Sequence, residues 1–202
     1  MAIFGTPFKK PQDPDNAVSV ANEMIVALRS YNARRLSAGH EAIDIGIGIN
    51  TGDVVAGNIG SPKRMEYTVI GDGVNLASRL ESATKYYGVK ILISEFTYSK
   101  LKQMPLARKL DLIRVRGKEN PIFVYDVLDF HTEETFPHLP GVLRFFEHGY
   151  KQYRARDWAR AIESFQEALV LHPHDMPSQI YLKRCKHYLT HPPDASWSGV
   201  WT

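Results

Sequence analysis

Two side chains able to bind an anion stand four residues apart within residues 64–81, RMEYTVIGDGVNLASRLE. This run predicts a strand, a tight turn at Gly71-Asp72-Gly73 and a helix that carries Asn75 and Arg79. Residues four apart share a face of a helix, and the first turn of a helix offers unpaired N–H groups and a positive dipole end. The pattern therefore favours an anionic ligand, and a capped surface helix with an incidental arginine is the alternative.

The same helix needs an apolar side by which it packs. Val74, Ala77 and Leu80 recur at the spacing of such a side. The two polar side chains and Ser82 are then expected on another face.

Three blocks of the chain resemble the catalytic domains of class III nucleotide cyclases, the adenylyl and guanylyl cyclases. They are the run above, residues 45–61 (IGIGINTGDVVAGNIGS) and residues 115–127 (VRGKENPIFVYDV), in the order that the family has. The resemblance implies an α/β sandwich with a ferredoxin-like core, incomplete at its amino-terminal side, followed by a small all-α unit.

The resemblance also implies roles in a reaction in which the ribose 3′-hydroxyl attacks the α-phosphate and expels pyrophosphate. Arg79 is expected to neutralise charge on the five-coordinate phosphorus, and Asn75 to orient the ribose. Thr68 matches the purine-selecting position, where a hydroxyl suits adenine and favours ATP, although it also reads as an ordinary strand residue. Arg116, with Lys118 nearby, matches the position that contacts the triphosphate, and the alternative there is an exposed basic turn.

The family's metal ligands are expected to be missing from this chain. The family holds Mg²⁺ (or Mn²⁺) with two aspartates, the second just before a strand that residues 1–5 resemble. Asp13, Asp15, Asp53 and Asp72 do not fall at ligand positions, and the lysine that partners the purine-selecting residue also lies in the missing segment. We therefore expect a sequence truncated at its start and inactive alone.

The resemblance implies a head-to-tail pair with sites at the interface. One subunit supplies the aspartates, and the other supplies the asparagine and arginine. This chain is expected to supply one half of each site, in a homodimer or with a second cyclase domain.

Composition excludes several classes of function. The net charge is +3, and the basic residues are scattered among 22 acidic residues. This distribution does not indicate a nucleic-acid surface. No run is apolar enough to span a membrane, and no signal segment is evident. The single cysteine, Cys185, is expected to serve in packing and indicates a reducing compartment. The eight histidines lack zinc spacing. A cytoplasmic location is expected, with a membrane anchor elsewhere in a longer protein left open.

Periodicity predicts the elements that position these residues. Asp15 or Asn16 caps a helix that ends near residues 38–39, and a half-buried strand covers residues 43–50. Gly46, Gly48 and Gly52 miss the dinucleotide spacing, and no Lys-Ser or Lys-Thr of a P-loop follows. The resemblance implies that this strand and the turn after it lie near the subunit contact, so residues 48–60 are expected to shape a close backbone approach. Later elements are a strand at residues 90–93, a helix at 95–101 capped by Ser94, and strands at 108–115 and 122–127. The predicted inward side of the first helix consists of Ala17, Ala21, Met24, Leu28 and Tyr31.

The organisation predicted is a partial cyclase domain at residues 1–128, a linker at 129–141, a helical unit at 142–190 and a tail at 191–202. The helical unit follows the spacing of one tetratricopeptide repeat, and residues 177–189 add a third helix with Tyr181 and Leu182 inward. A lone repeat must pack on the cyclase core, on a second copy or on a protein partner. Trp197 and Trp201 either dock onto the helices or belong to a disordered end.

Three functions fit the sequence. The first is the carboxy-terminal part of a bacterial adenylate cyclase, which makes 3′,5′-cyclic AMP in intracellular signalling. The second is a non-catalytic regulatory or scaffold subunit that dimerises through the cyclase fold. The third is a guanylate cyclase.

Overall fold

Two units divide the chain, and neither is a continuous stretch of sequence. The computed structural model describes residues 1–61, 64–114 and 120–201, without the side chains of residues 60–66. Unit 1 comprises Met1–Lys85, Lys90–Ala107 and Tyr125–Phe130. Unit 2 comprises Tyr86–Val89, Arg108–Val124 and His131–Thr202.

Strands and helices alternate along the first two thirds of the chain, and helices follow. In order, the elements are α1 (Asp13–Ser37), β1 (Ile47–Ile49), β2 (Val55–Ser61), β3 (Arg64–Ile70), α2 (Asp72–Tyr87), β4 (Ile91–Ser94), α3 (Glu95–Tyr98), β5 (Ala107–Ile113), β6 (Ile122–Val127), α4 (Leu139–Arg154), α5 (Trp158–Leu171) and α6 (Met176–Thr190). The predicted α/β class is confirmed.

The strands form one four-stranded sheet and one two-stranded ribbon. The sheet has the order β1-β4-β6-β5, and β6 passes from unit 2 into unit 1 at Tyr125. β1 pairs parallel with β4, so that Ile47 lies opposite Ile91. β2 and β3 pair antiparallel as the ribbon, with Gly57 opposite Thr68.

The core of unit 1 lies between α1 and the sheet. All four residues of β4 are buried, because the strand is covered on both faces. Val18, Ala21 and Ile25 of α1 pack against this core. Of the predicted inward side of α1, Ala21 is buried, and Ala17 and Leu28 are half-buried. The prediction was wrong for Met24 and Tyr31, which are 48% and 44% exposed.

The beginning of the chain also differs from expectation. Residues 1–10 contain no strand, so the predicted strand at residues 1–5 is wrong. α1 begins two residues before Asp15, which instead accepts hydrogen bonds from the backbone N–H groups of Lys102 and Gln103, both 2.9 Å away. The strand predicted at residues 43–50 is shorter, covering only Ile47–Ile49.

The elements after α2 follow the prediction closely. Ser94 caps α3, accepting a hydrogen bond from the Thr97 backbone N–H at 3.2 Å, although the helix ends at Tyr98 rather than near residue 101. The two last strands lie within a residue or two of their predicted bounds.

Unit 2 places three helices with the strand β5. α4 packs against α5, and α6 contacts both of them. Tyr181 of α6 is fully buried and donates a hydrogen bond to the backbone carbonyl of Leu110 on β5 at 2.9 Å, whereas Leu182 is only half-buried. α6 is therefore joined to a strand of the same unit.

The segment that leads into α4 is partly ordered by burial. Phe136 is buried, and its ring stacks on His172 with centroids 4.3 Å apart. α4 begins at Leu139, so the last three residues of the predicted linker at 129–141 are helical.

The tail docks onto the helices, as one of the two alternatives predicted. The ring of Trp197 meets the rings of Tyr153, Trp158 and Tyr188 edge-on, with centroids 5.3–5.5 Å apart. Val200 is buried, and Trp201 packs near Tyr188. Within the described ranges, no helix is both long and apolar enough to cross a bilayer.

Gly48 allows the backbone of β1 to approach that of α2. A Cβ atom at Gly48 would lie under 3.0 Å from the Ala77 carbonyl oxygen and the Glu81 backbone nitrogen. Gly48→Ala should therefore lower the free energy of unfolding by about 1–3 kcal/mol, as overpacking does. Urea unfolding measures it. Gly57→Ala is the control, because a Cβ there meets nothing within 4 Å. An equal effect of the two changes would contradict the close approach.

Cys185 reports on the packing of unit 2. It is fully buried, and burial raises the pKa of its thiol to about 12. The thiolate is the reactive form, so we expect the native protein to react with Ellman's reagent at pH 8 at least about a hundredfold more slowly than the urea-unfolded protein. Because the chain has one cysteine, the signal is specific. A native rate equal to the unfolded rate would mean that α6 opens freely.

Candidate functional site

The turn before α2 fixes where that helix begins. Gly71 has φ of 141°, in the region that favours glycine. Its carbonyl oxygen accepts hydrogen bonds from the backbone N–H groups of Val74 at 3.1 Å and Asn75 at 3.3 Å. The predicted strand and helix are confirmed, but the turn is shorter than predicted, because Asp72 and Gly73 already belong to α2.

α2 separates an apolar side from a polar side. Leu76 and Leu80 are buried, together with Thr84. Of the residues predicted for the packing side, Leu80 is fully buried, but Val74 and Ala77 are only half-buried. Leu76 was missed because the prediction placed the apolar stripe too narrowly.

The polar side of α2 is as predicted. Asn75, Arg79 and Ser82 are all exposed. Asn75 and Arg79 stand one turn apart on a helix that continues to Tyr87. The helix thus presents an amide and a guanidinium together, next to its own N-terminal turn, where the dipole favours negative charge.

Asn50 holds the turn that starts α2, a role that the strand predicted at residues 43–50 did not reveal. Its side-chain amide donates a hydrogen bond to the Gly73 carbonyl at 3.1 Å, and its side-chain oxygen accepts one from the Ser94 hydroxyl at 2.7 Å. Asn50 directly follows β1, so it links the end of that strand, the start of α2 and the cap of α3. The available signal was a polar residue at the end of an alternating apolar strand.

Thr68 lies on β3, the strand that leads into the turn. It is half-buried and lies opposite Gly57 of β2. Its side chain therefore has partial access to solvent beside a residue without a side chain. Arg116 and Lys118, predicted to contact a triphosphate, lie outside the described residues.

The described residues do not fit a metal ion. Among them, no group of three or more His, Cys, Asp or Glu side chains could hold one. Asp13 accepts a hydrogen bond from the Lys10 backbone N–H at 2.6 Å, and Asp53 and Asp72 are exposed. No step of a reaction is therefore assigned to a metal held by these residues.

The chain matches one protein family over most of its length. Residues 1–128 match the family described as the adenylate and guanylate cyclase catalytic domain. The terminal-differentiation-specific adenylate cyclase of Dictyostelium discoideum is 32% identical over 189 residues, which is 92% of this chain. The chain spans only 9% of that relative's length.

Two solved structures resemble the fold. The guanylyl cyclase Cya2 is 38% identical, with a TM-score of 0.56 over 61% of this chain and 62% of that one. The adenylyl cyclase CyaB from P. aeruginosa is also 38% identical, with a TM-score of 0.56 over 62% of this chain and 65% of that one. Because the family match covers residues 1–128 of 202, the chain belongs to the adenylate and guanylate cyclase catalytic domain family.

Proposed function

We propose that this chain is part of an adenylate cyclase that converts ATP to 3′,5′-cyclic AMP and pyrophosphate in intracellular signalling. The observation that carries the proposal is the exposed pair Asn75 and Arg79, one turn apart on a helix whose start is fixed by Asn50. The similarity to adenylate cyclases of Dictyostelium discoideum and P. aeruginosa supports it.

The two side chains have different tasks in this proposal. The Arg79 guanidinium lies against the α-phosphate and neutralises the charge that builds as the 3′-hydroxyl attacks and pyrophosphate leaves. The Asn75 amide hydrogen-bonds the ribose and holds the hydroxyl in line with the phosphorus. Fixed donors of this kind stabilise a transition state because they need no reorganisation during the reaction.

Thr68 and the basic segment at residues 115–119 complete the contacts to the nucleotide. The Thr68 hydroxyl accepts a hydrogen bond from the adenine amino group. Arg116 and Lys118 contact the triphosphate, where a planar guanidinium bonds two phosphate oxygens at once.

The remaining half of the site comes from a second cyclase domain that carries the metal-binding carboxylates, either on a different chain or on a second copy of the longer protein to which, in this proposal, the chain belongs. Among the described residues, no group of three or more His, Cys, Asp or Glu side chains could hold a metal ion. In this proposal, carboxylates of the second domain hold the Mg²⁺ or Mn²⁺ that cyclases of this class use. The same observation favours a second candidate, a regulatory subunit that associates through the cyclase fold without catalysis.

A guanylate cyclase is the third candidate. It is favoured by the guanylyl cyclase Cya2, which is as similar to the chain as the adenylyl cyclase is, at 38% identity in both cases. Thr68 favours adenine, because a hydroxyl accepts from the amino group that guanine lacks at that position.

We further propose that α4 and α5 form a tetratricopeptide-like repeat within a helical unit that begins at Leu139, between a linker that starts at residue 129 and the tail. Ala161, Phe165 and Ala168 occupy apolar positions of that pattern and are fully buried. The match to the Dictyostelium discoideum relative covers 92% of the chain, so it extends beyond residue 128 into the helices. The outer faces of the helices are the surface for a protein partner.

Arg79→Ala should abolish activity in a complemented enzyme. This chain is mixed with the catalytic domain of P. aeruginosa CyaB whose own matching asparagine and arginine have been replaced, and cyclic AMP is measured from magnesium-ATP. We expect activity only in the mixture, and a loss of about a hundredfold or more with Arg79→Ala, since a transition-state donor is removed.

Ser82→Ala is the matched control, because Ser82 is also exposed on α2. It should leave the rate of the mixture unchanged. An inactive mixture, in which sedimentation shows that the two folded chains associate, would reject catalysis and favour the regulatory subunit.

Thr68→Val should weaken the preference for ATP. The change keeps the shape and removes the hydroxyl, so kcat/KM for ATP should fall about tenfold while that for GTP changes little, as loss of one hydrogen bond allows. Cyclic AMP and cyclic GMP are measured in the same mixture. A wild-type preference for GTP would reverse the assignment to adenylate cyclase.

A further inference from the structure

Asp111 of β5 is the centre of a buried hydrogen-bond network. Its carboxylate accepts bonds from the Tyr87 hydroxyl at 2.6 Å, the Tyr181 hydroxyl at 2.8 Å and the Arg184 guanidinium at 2.6 Å. The backbone N–H of Leu112 donates a fourth, at 2.8 Å. Every contact of this network lies within unit 2.

The network joins the end of α2 to α6. Tyr87 is the last residue of α2, whereas Tyr181 and Arg184 belong to α6. The side chains of Asp111 and Arg184 are 2% and 3% exposed, so the two charges have little solvent to replace a lost partner. A charge left buried without its partner is strongly unfavourable, and this holds the geometry in place.

The tyrosines of the network stay protonated donors. Burial, with the nearby Asp111 carboxylate as a second cause, raises the pKa of the hydroxyls of Tyr87 and Tyr181 above the ordinary value. Burial alone lowers the pKa of the Arg184 guanidinium, but the Asp111 carboxylate outweighs it and raises that pKa. The two hydroxyls and the guanidinium therefore stay hydrogen-bond donors as the pH rises through the neutral range.

A second ion pair anchors the start of α6 to the same strand. Arg108 of β5 contacts Asp175 at 2.8 Å, and the two side chains are 5% and 1% exposed. Asp175 is also the cap of α6, accepting a bond from the Ser178 backbone N–H at 3.1 Å. α6 is thus fixed to β5 at its beginning by one ion pair and further along by the network at Asp111.

We infer that Asp111 and Arg184 are positioning residues for α2, through the hydroxyl of Tyr87. The inference rests on the proposed function, because α2 presents Asn75 and Arg79. The opposite end of the helix is held by Asn50 at Gly73, so both ends of α2 are tied by side-chain hydrogen bonds. Arg79 precedes Tyr87 by eight residues, about 12 Å along a helix.

Tyr87→Phe is the sharpest test, because it removes only the hydroxyl that joins α2 to Asp111. In the mixture with the CyaB domain, we expect kcat to fall about tenfold with KM for ATP changed less than twofold, since Arg79 acts in the transition state. Tyr31→Phe is the control, since Tyr31 is exposed on α1. A kcat for Tyr87→Phe equal to that of the control would overturn the inference.

Arg184→Met tests the other end of the network, with Lys186→Met as the control on an exposed position of α6. Arg184→Met should lower kcat at least as much as Tyr87→Phe does, and adding Asp111→Asn should restore part of it by removing the uncompensated charge. Urea unfolding first establishes that each variant is folded at the assay temperature. No loss of kcat in folded Arg184→Met, or no recovery in the double variant, would contradict the role of the pair.

Hydrogen exchange separates this inference from the proposed function. In Tyr87→Phe, the amides in the second half of α2 should exchange at least about tenfold faster than in Tyr31→Phe, whether or not any cyclic AMP is made. Unchanged exchange would overturn the positioning role by itself. An inactive wild-type mixture combined with faster exchange would reject the catalytic function but keep the anchoring of the last turn of α2 by Asp111.

Discussion

The approach of α2 to β1, made at two residues without side chains, is the constraint on which the candidate site depends. At Gly48 a Cβ atom would collide with the backbone of α2, and at Gly46 it would collide with the Thr84 side chain. Because the backbones come this close, α2 buries Leu76 and Leu80 beside the sheet and must turn its other face outward. The exposure of the polar face is thus a consequence of packing.

Buried ion pairs fix the packing of unit 2, whereas close contact between backbones fixes the packing of α2 in unit 1. Arg184 and Asp111 form a nearly dehydrated ion pair, and Arg108 with Asp175 forms another. Pairs of this kind contribute little net stability compared with apolar side chains of the same size, but breaking one is costly. They therefore select one arrangement of α6 against β5 among the many that an apolar surface alone would allow. The two ion pairs thus fix the position of α6 along the strand.

Local patterns predicted much of the site, and long-range contacts escaped prediction. The turn before α2 and the exposure of Asn75 and Arg79 follow from residues within one short segment, so spacing was enough. Asn50 bonds to Ser94, 44 residues away, and Arg184 bonds to Asp111, 73 residues away. Sequence periodicity does not reveal such partners. In the sequence alone, a polar residue is expected on the surface, and its burial becomes evident only when the fold brings its hydrogen-bond partner near. The short extent of β1 escaped for the same reason, since strand pairing is decided by the neighbouring strand.

A site that is divided between two domains, as the proposed function requires, makes its activity depend on association. In the proposed function, this chain supplies a guanidinium and an amide that act on the transition state, and the second domain supplies the groups that activate the attacking hydroxyl. If the halves meet only in a complex, the fraction of competent sites follows the concentration and affinity of the partner. A change that shifts α2 then alters the catalytic rate of each assembled complex. A contact on an outer surface instead alters the number of complexes that form. The network at Asp111 belongs to the first kind, and the outer faces of the helices of unit 2 belong to the second.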